Sequence, residues 1–195
     1  MKKIFLLLFL LTCVGGFLRF YHLTSNPPSL NIDEVAYGYD AYSILKTGRD
    51  QYGNFLPLFF KSVGDYKNPI LIYSMVPSIY LFGLNEFSVR FSSALAGTLS
   101  IPLLYFLISS VLKKKKIALL GSMLITISPW HIYYSRFASD HLMGLFFLII
   151  GAWFFQKMLD QGKLWWILSA FFLSISVYTY HSQRVFIPLF VLADC

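Results

Sequence analysis

Five apolar runs dominate the chain, at residues 4–23, 91–112, 117–135, 142–156 and 164–180, and most charged residues lie in the polar segments between them. A helix that crosses a bilayer needs ~20 mostly apolar residues, so each run predicts a transmembrane helix. We place the spans at 4–23, 88–112, 117–135, 141–158 and 164–180, the fourth reaching past Lys157, whose amine can snorkel. The first run follows Lys2 and Lys3 and has no small-residue cleavage motif behind it, so it reads as an uncleaved span rather than a signal peptide. A further apolar run at 185–195 is too short to span and reads as a sixth helix cut short. The expected fold is an all-α polytopic membrane protein with about five complete spans, representing the N-terminal part of a larger domain.

The polar exception is the loop at 24–87. Asn31 can cap a helix, with Glu34 three residues on completing a capping box. Val35, Tyr39, Tyr42 and Leu45 recur at helical spacing, and Gly48 suits the stop. That pattern predicts a short amphipathic helix on the membrane surface. The stretch at 68–84 is also apolar, but Pro69, Pro77 and its modest length suit a helix lying along the interface.

Charge supports that arrangement. Hydrophobic residues make up 57% of the chain and charged residues 13%, with mean hydropathy +0.63. Soluble domains carry about 25% charged residues, so a soluble class is excluded. With 68–84 at the interface, Lys2, Lys3, Lys113 to Lys116, Lys157 and Lys163 all fall on one side, opposed only by Asp160. By the positive-inside rule that side is cytoplasmic, as is the N-terminus. The net charge of +7 belongs to these lysines, and a nucleic-acid partner has no support. Cys13 and Cys195 have no metal-ligand spacing.

Three polar groups then share the outer side. The first holds Asp33, Glu34 and, later in the same loop, Lys67; acids also favour a helix N-terminus for electrostatic reasons alone. The second runs from Ser128 to His141, where Asp140 stands at the edge of a span and Arg136 lies one helical turn before it, close enough to pair. The third, Tyr178 to Arg184, includes His181 and reads either as a phosphate or sugar site or as interfacial anchors.

Taken together these residues resemble the N-terminal part of the C-type glycosyltransferases, near the dolichyl-phosphate-mannose protein mannosyltransferases and the aminoarabinose transferases. The likeness rests on Asp33-Glu34, Tyr66-Lys67-Asn68-Pro69, the segment from Phe82 to Arg90, and Ser135 to Asp140. It implies a membrane enzyme that transfers a sugar, with inversion, from a polyprenyl-phosphate donor to a lipid, glycan or protein acceptor outside the cytoplasm. It implies Asp33, Glu34 and Asp140 as catalytic residues, and Lys67, Arg136, His181 and Arg184 as substrate-binding ones. A divalent metal is the one cofactor the resemblance leaves open; relatives place an acid directly before the lysine, where this chain has Tyr66. The alternatives are a lipid or solute transporter or flippase, or a non-catalytic fragment. Transporters usually carry charge near the bilayer midplane, whereas polarity here gathers at one surface.

Overall fold

A computed structural model describes residues 2–62 and 64–193. Asp194 and Cys195, the end of the expected sixth segment, lie outside the described residues. The helices are α1 (Lys2–Phe20), α2 (Ile32–Thr47), α3 (Pro69–Phe82), α4 (Glu86–Leu112), α5 (Lys115–Ile127), α6 (Pro129–Ser135), α7 (Asp140–Gln161), α8 (Trp166–Thr179) and α9 (Gln183–Ala193). One small antiparallel hairpin, β1 (Phe60–Lys61) and β2 (Tyr66–Lys67), pairs Phe60 with Lys67 and Lys61 with Tyr66. The protein is an all-α polytopic membrane protein.

The number of full spans differs from the sequence expectation. Helices α1, α4 and α7 are long and apolar enough to cross a membrane, and α5 with α6 is apolar enough together but bent by 60°, the form of a broken span or a re-entrant loop. The break falls at Ser128-Pro129. Proline disfavours helical geometry in the residue before it, and Ser128 is extended at ψ 118°, so a new helix starts at Pro129. Helix α8 has 14 residues, about 21 Å of rise, because a short 3-10 turn at Lys163–Trp165 replaces its expected first turn. Helix α3 is equally short.

Local signals set the limits of the first helix in the loop at 24–87. Asn31 and Glu34 form a reciprocal capping box on α2, and Gly48 ends the helix at φ 69°, a left-handed conformation that glycine adopts without a Cβ penalty. The apolar stripe read from the spacing is not the face that packs inside the protein. Val35 and Tyr39 are exposed, while Glu34, Tyr37, Ala41 and Ile44 are buried. The packed face carries the ion pair of Glu34 with Arg90.

Helix α4 is the axis of the bundle, with α1, α3, α5 and α7 against it. Ser78 Oγ donates to the Ser88 carbonyl and Ser92 Oγ to the Ser74 carbonyl, which lays α3 beside the first two turns of α4. Deeper in, Gly97 lets α6 approach so closely that any Cβ there would collide with Ser135 Oγ. At the far end Lys113 pairs with Asp160, joining the ends of α4 and α7. The lysine-rich turn and the loop at 24–87 therefore occupy opposite ends of the bundle.

Candidate functional site

Three buried arginines organise the end of the bundle that carries the loop. Each binds backbone carbonyls that helix ends and turns leave without a partner, the groups that must be satisfied inside a membrane protein. Arg19 Nη2 donates to the Ile125 carbonyl at 3.0 Å and Nη1 to that of Thr126 at 3.4 Å, capping α5 where it breaks, and Nε reaches Ser135 Oγ at 3.2 Å. Arg136 donates to the carbonyls of Leu18, Arg19, His22 and Asn26 and so closes the C-terminal end of α1. Arg90 donates to the carbonyls of Leu23, Pro27 and Ser29 and pairs with Glu34, Nε to Oε1 at 2.9 Å. Glu34 also accepts the Ala138 N–H at 3.1 Å, so one buried carboxylate ties α2 to α4 and to the segment entering α7.

On this frame sits a cleft of about 200 Å³. Asp33, Tyr37, Asp65, Lys67 and Asn68 line it from the loop, and Phe137 to His141, Tyr180 and His181 line it from the bundle. Asn68 Nδ2 donates to the Thr179 carbonyl at 3.0 Å, fixing the loop to the end of α8. Lys67 is the charge at its centre. Its Nζ lies 2.9 Å from Asp33 Oδ1 and 2.8 Å from Asp65 Oδ2, and 5.8 Å from the ring centre of Tyr37. Burial works to lower the Lys67 pKa, but hydrogen bonds and attraction from Asp65 and Asp33 outweigh it, so the ammonium is held above its ordinary value. The Asp33 side chain is 48% exposed, open to the cleft mouth.

Asp140 sits deeper, at the start of α7. Tyr37 donates its hydroxyl to Oδ2 at 3.1 Å, and Oδ1 is buried without a hydrogen-bond partner among the described residues. Burial, with Asp140 and Asp33 nearby, pushes the Tyr37 pKa up, which keeps the phenol protonated as a donor. The opposite wall is aromatic, with the His141 and Tyr180 rings 4.1 Å apart.

Of the residues singled out in the sequence, Asp33, Lys67, Asp140 and His181 therefore meet in one cleft. Glu34, Arg136 and Arg184 do not. Glu34 is turned inward onto Arg90. The expected one-turn pairing of Arg136 with Asp140 is absent, because Arg136 spends its donors on backbone carbonyls and Tyr37 takes Asp140. Arg184 is exposed in the first turn of α9, outside the cleft. Sequence reasoning missed Tyr37, Asp65 and His141. His141 stood only as the end of the second polar group, and Asp65 left a trace as an acid two residues before the lysine. Three carboxylates reach this cleft, but Lys67 bridges two of them, and no group of three His, Cys, Asp or Glu side chains among the described residues is arranged to hold a metal ion.

A family model described as dolichyl-phosphate-mannose-protein mannosyltransferase matches residues 9–182. The chain is similar to two proteins of Bacillus subtilis (strain 168). "Putative mannosyltransferase YkcB" is 27% identical over 88% of this chain and 23% of its own length, and "Putative mannosyltransferase YycA" is 26% identical over 95% and 26%. An uncharacterized protein of Aquifex aeolicus (strain VF5) is 29% identical over 86% of this chain and 32% of its own length. The chain thus spans about a quarter to a third of the relatives it matches. No solved structure matches it.

Proposed function

This chain belongs to the dolichyl-phosphate-mannose-protein mannosyltransferase family, and from that membership we propose that it carries the donor and base end of a membrane glycosyltransferase. The reaction moves a sugar from a polyprenyl-phosphate donor to a hydroxyl of a glycan, lipid or protein acceptor on the extracytoplasmic side. The observation that supports this best is the Asp33–Lys67 pair at 2.9 Å at the mouth of the cleft, beside an aromatic wall. The acceptor oxygen attacks the anomeric carbon as the carbon–oxygen bond to the lipid phosphate breaks, which inverts that carbon. Asp33 accepts the hydroxyl proton as general base. The departing phosphate gains charge, and the Lys67 ammonium stabilises it, with Asp65 holding that ammonium in place. Asp140, steadied by Tyr37, is the second carboxylate of the site. Glu34 acts through Arg90 and Ala138, as a positioning residue that fixes the helix bearing Asp33.

The direct test supplies polyprenyl-phosphate sugars to membranes containing the protein and follows transfer with and without Asp33→Asn. A separate measurement isolates the phosphate. Charge-assisted hydrogen bonds contribute ~1.5–3 kcal/mol, so Lys67→Met is expected to weaken binding of farnesyl phosphate by about 10-fold or more. Unchanged affinity would remove Lys67 from phosphate binding.

The orientation we propose has the N-terminus and the lysine-rich end in the cytoplasm. In a background with Cys13 and Cys195 replaced by serine, a cysteine at the exposed Thr24 should react with an impermeant thiol reagent in intact cells. One at the exposed Lys115 should react only after permeabilisation. The reverse pattern would put the cleft on the cytoplasmic side and end the proposal as stated.

A further inference from the structure

Two lysine runs far apart in sequence meet at the end of the bundle opposite the cleft. Ile4 and Leu8 of α1 pack with Tyr105, Phe106 and Ile108 of α4 and with Ala118 and Leu119 of α5. That cluster brings Lys2 and Lys3, at the start of α1, to the same end of the bundle as the turn formed by Lys113 to Lys116, and all six lysines are exposed. Lys113 is engaged by Asp160. The other five have no carboxylate partner among the described residues, whose remaining acids all lie in the outer loop or at the outer ends of α4 and α7.

Helix stability explains only part of this run: Lys113 caps the C-terminal end of α4, where a cation is favoured, but lysines are unfavourable at the start of α5. The start of a helix favours acids and polar caps, because its free N–H groups carry partial positive charge. In α5 the cap is Lys114, with no side-chain cap bond, and the first two helical positions are Lys115 and Lys116. Lys113 adopts φ 54°, the left-handed region in which non-glycine residues are uncommon. A serine or aspartate cap would serve the start of α5 better, and a glycine at 113 would adopt the left-handed backbone without a Cβ penalty.

We propose that this end is a binding site for the phosphate headgroups of anionic glycerophospholipids. Lysine clusters bordering membrane spans attract such headgroups, and an anion among five like charges also relieves their repulsion. Membrane anchoring of the ligand fits the surroundings: exposed Phe5, Phe9, Val111, Leu112, Ile117 and Leu120 flank the lysines and offer apolar surface to acyl chains. The site is independent of the glycosyl-transfer reading, since no residue of the cleft takes part.

The test is native mass spectrometry of the whole chain in a neutral detergent, titrated with dioleoyl phosphatidylglycerol or dioleoyl phosphatidylcholine. The unaltered chain should retain the anionic lipid at least about fivefold over the neutral one. Replacing Lys2, Lys3, Lys114, Lys115 and Lys116 by glutamine should bring that ratio near one. Replacing Lys46 and Lys61, on the outer loop, should leave it unchanged. Because the two runs form one site, Lys2→Gln with Lys3→Gln, or Lys115→Gln with Lys116→Gln, should each lower the ratio by about twofold or more. These pairs also carry the test if the fivefold variant does not fold. An undiminished ratio in both pair variants, equal loss in the outer-loop control, or full displacement by equimolar inorganic pyrophosphate would overturn the proposal, the last by assigning a soluble phosphate instead.

Discussion

Asp33→Asn should lower sugar transfer by ~10²-fold or more while leaving donor affinity intact or improved. The carboxamide keeps the size of the side chain but cannot take up the acceptor proton, and general-base catalysis is commonly worth 10²–10⁴-fold. The second half of the expectation comes from the geometry. Asp33 and Asp65 share the Lys67 ammonium, so removing one carboxylate frees donor capacity for the lipid phosphate. A fall in kcat with an unchanged or lower KM for the donor is the signature of a group needed only as the proton moves. A rise in KM at constant kcat would instead make Asp33 a binding residue. Near-normal turnover in a folded protein would remove it from the mechanism.

Truncating Glu34 or Arg90 singly should destabilise the protein by about 3–5 kcal/mol, the cost of leaving one buried charge without its partner. Both side chains are almost fully buried, at 1% and 0% exposure. Glu34→Ala strands a guanidinium among the carbonyls of Leu23, Pro27 and Ser29, and Arg90→Ala strands those carbonyls together with the carboxylate. Replacing both by alanine should cost less than the two single losses together, since no charge is then left unpaired. Unfolding in mixed micelles, followed by circular dichroism, gives the four corners of the cycle. If each single change costs under about 1 kcal/mol, the pair does not anchor the loop. The same cycle separates Glu34 from Asp33: a positioning residue loses activity in step with stability, whereas Asp33→Asn loses activity alone.

The amino-acid sequence determined what depends on near neighbours and on bulk composition. The limits of α2 follow from Asn31, Glu34 and Gly48, because caps act within one helical turn. The membrane class follows from long uncharged runs, and the opposite locations of lysines and acids from their order along alternating spans. That order also brought Asp33, Lys67, Asp140 and His181 to a common end, where the structure joins them in one cleft. The break at Ser128-Pro129 was present as a proline signal but masked by the unbroken apolar run. Tertiary structure decided which buried polar group met which. Tyr37 reaches Asp140 across 103 residues, Glu34 reaches Arg90 across 56, and Arg19 reaches Ser135 across 116. Spacing suggested Arg136 for Asp140, only four positions away, yet the open carbonyls at the end of α1 took the arginine. A buried polar group is costly without a partner, so its partner is whichever group packing brings within about 3 Å, and packing between distant helices leaves no mark on the local sequence around either one.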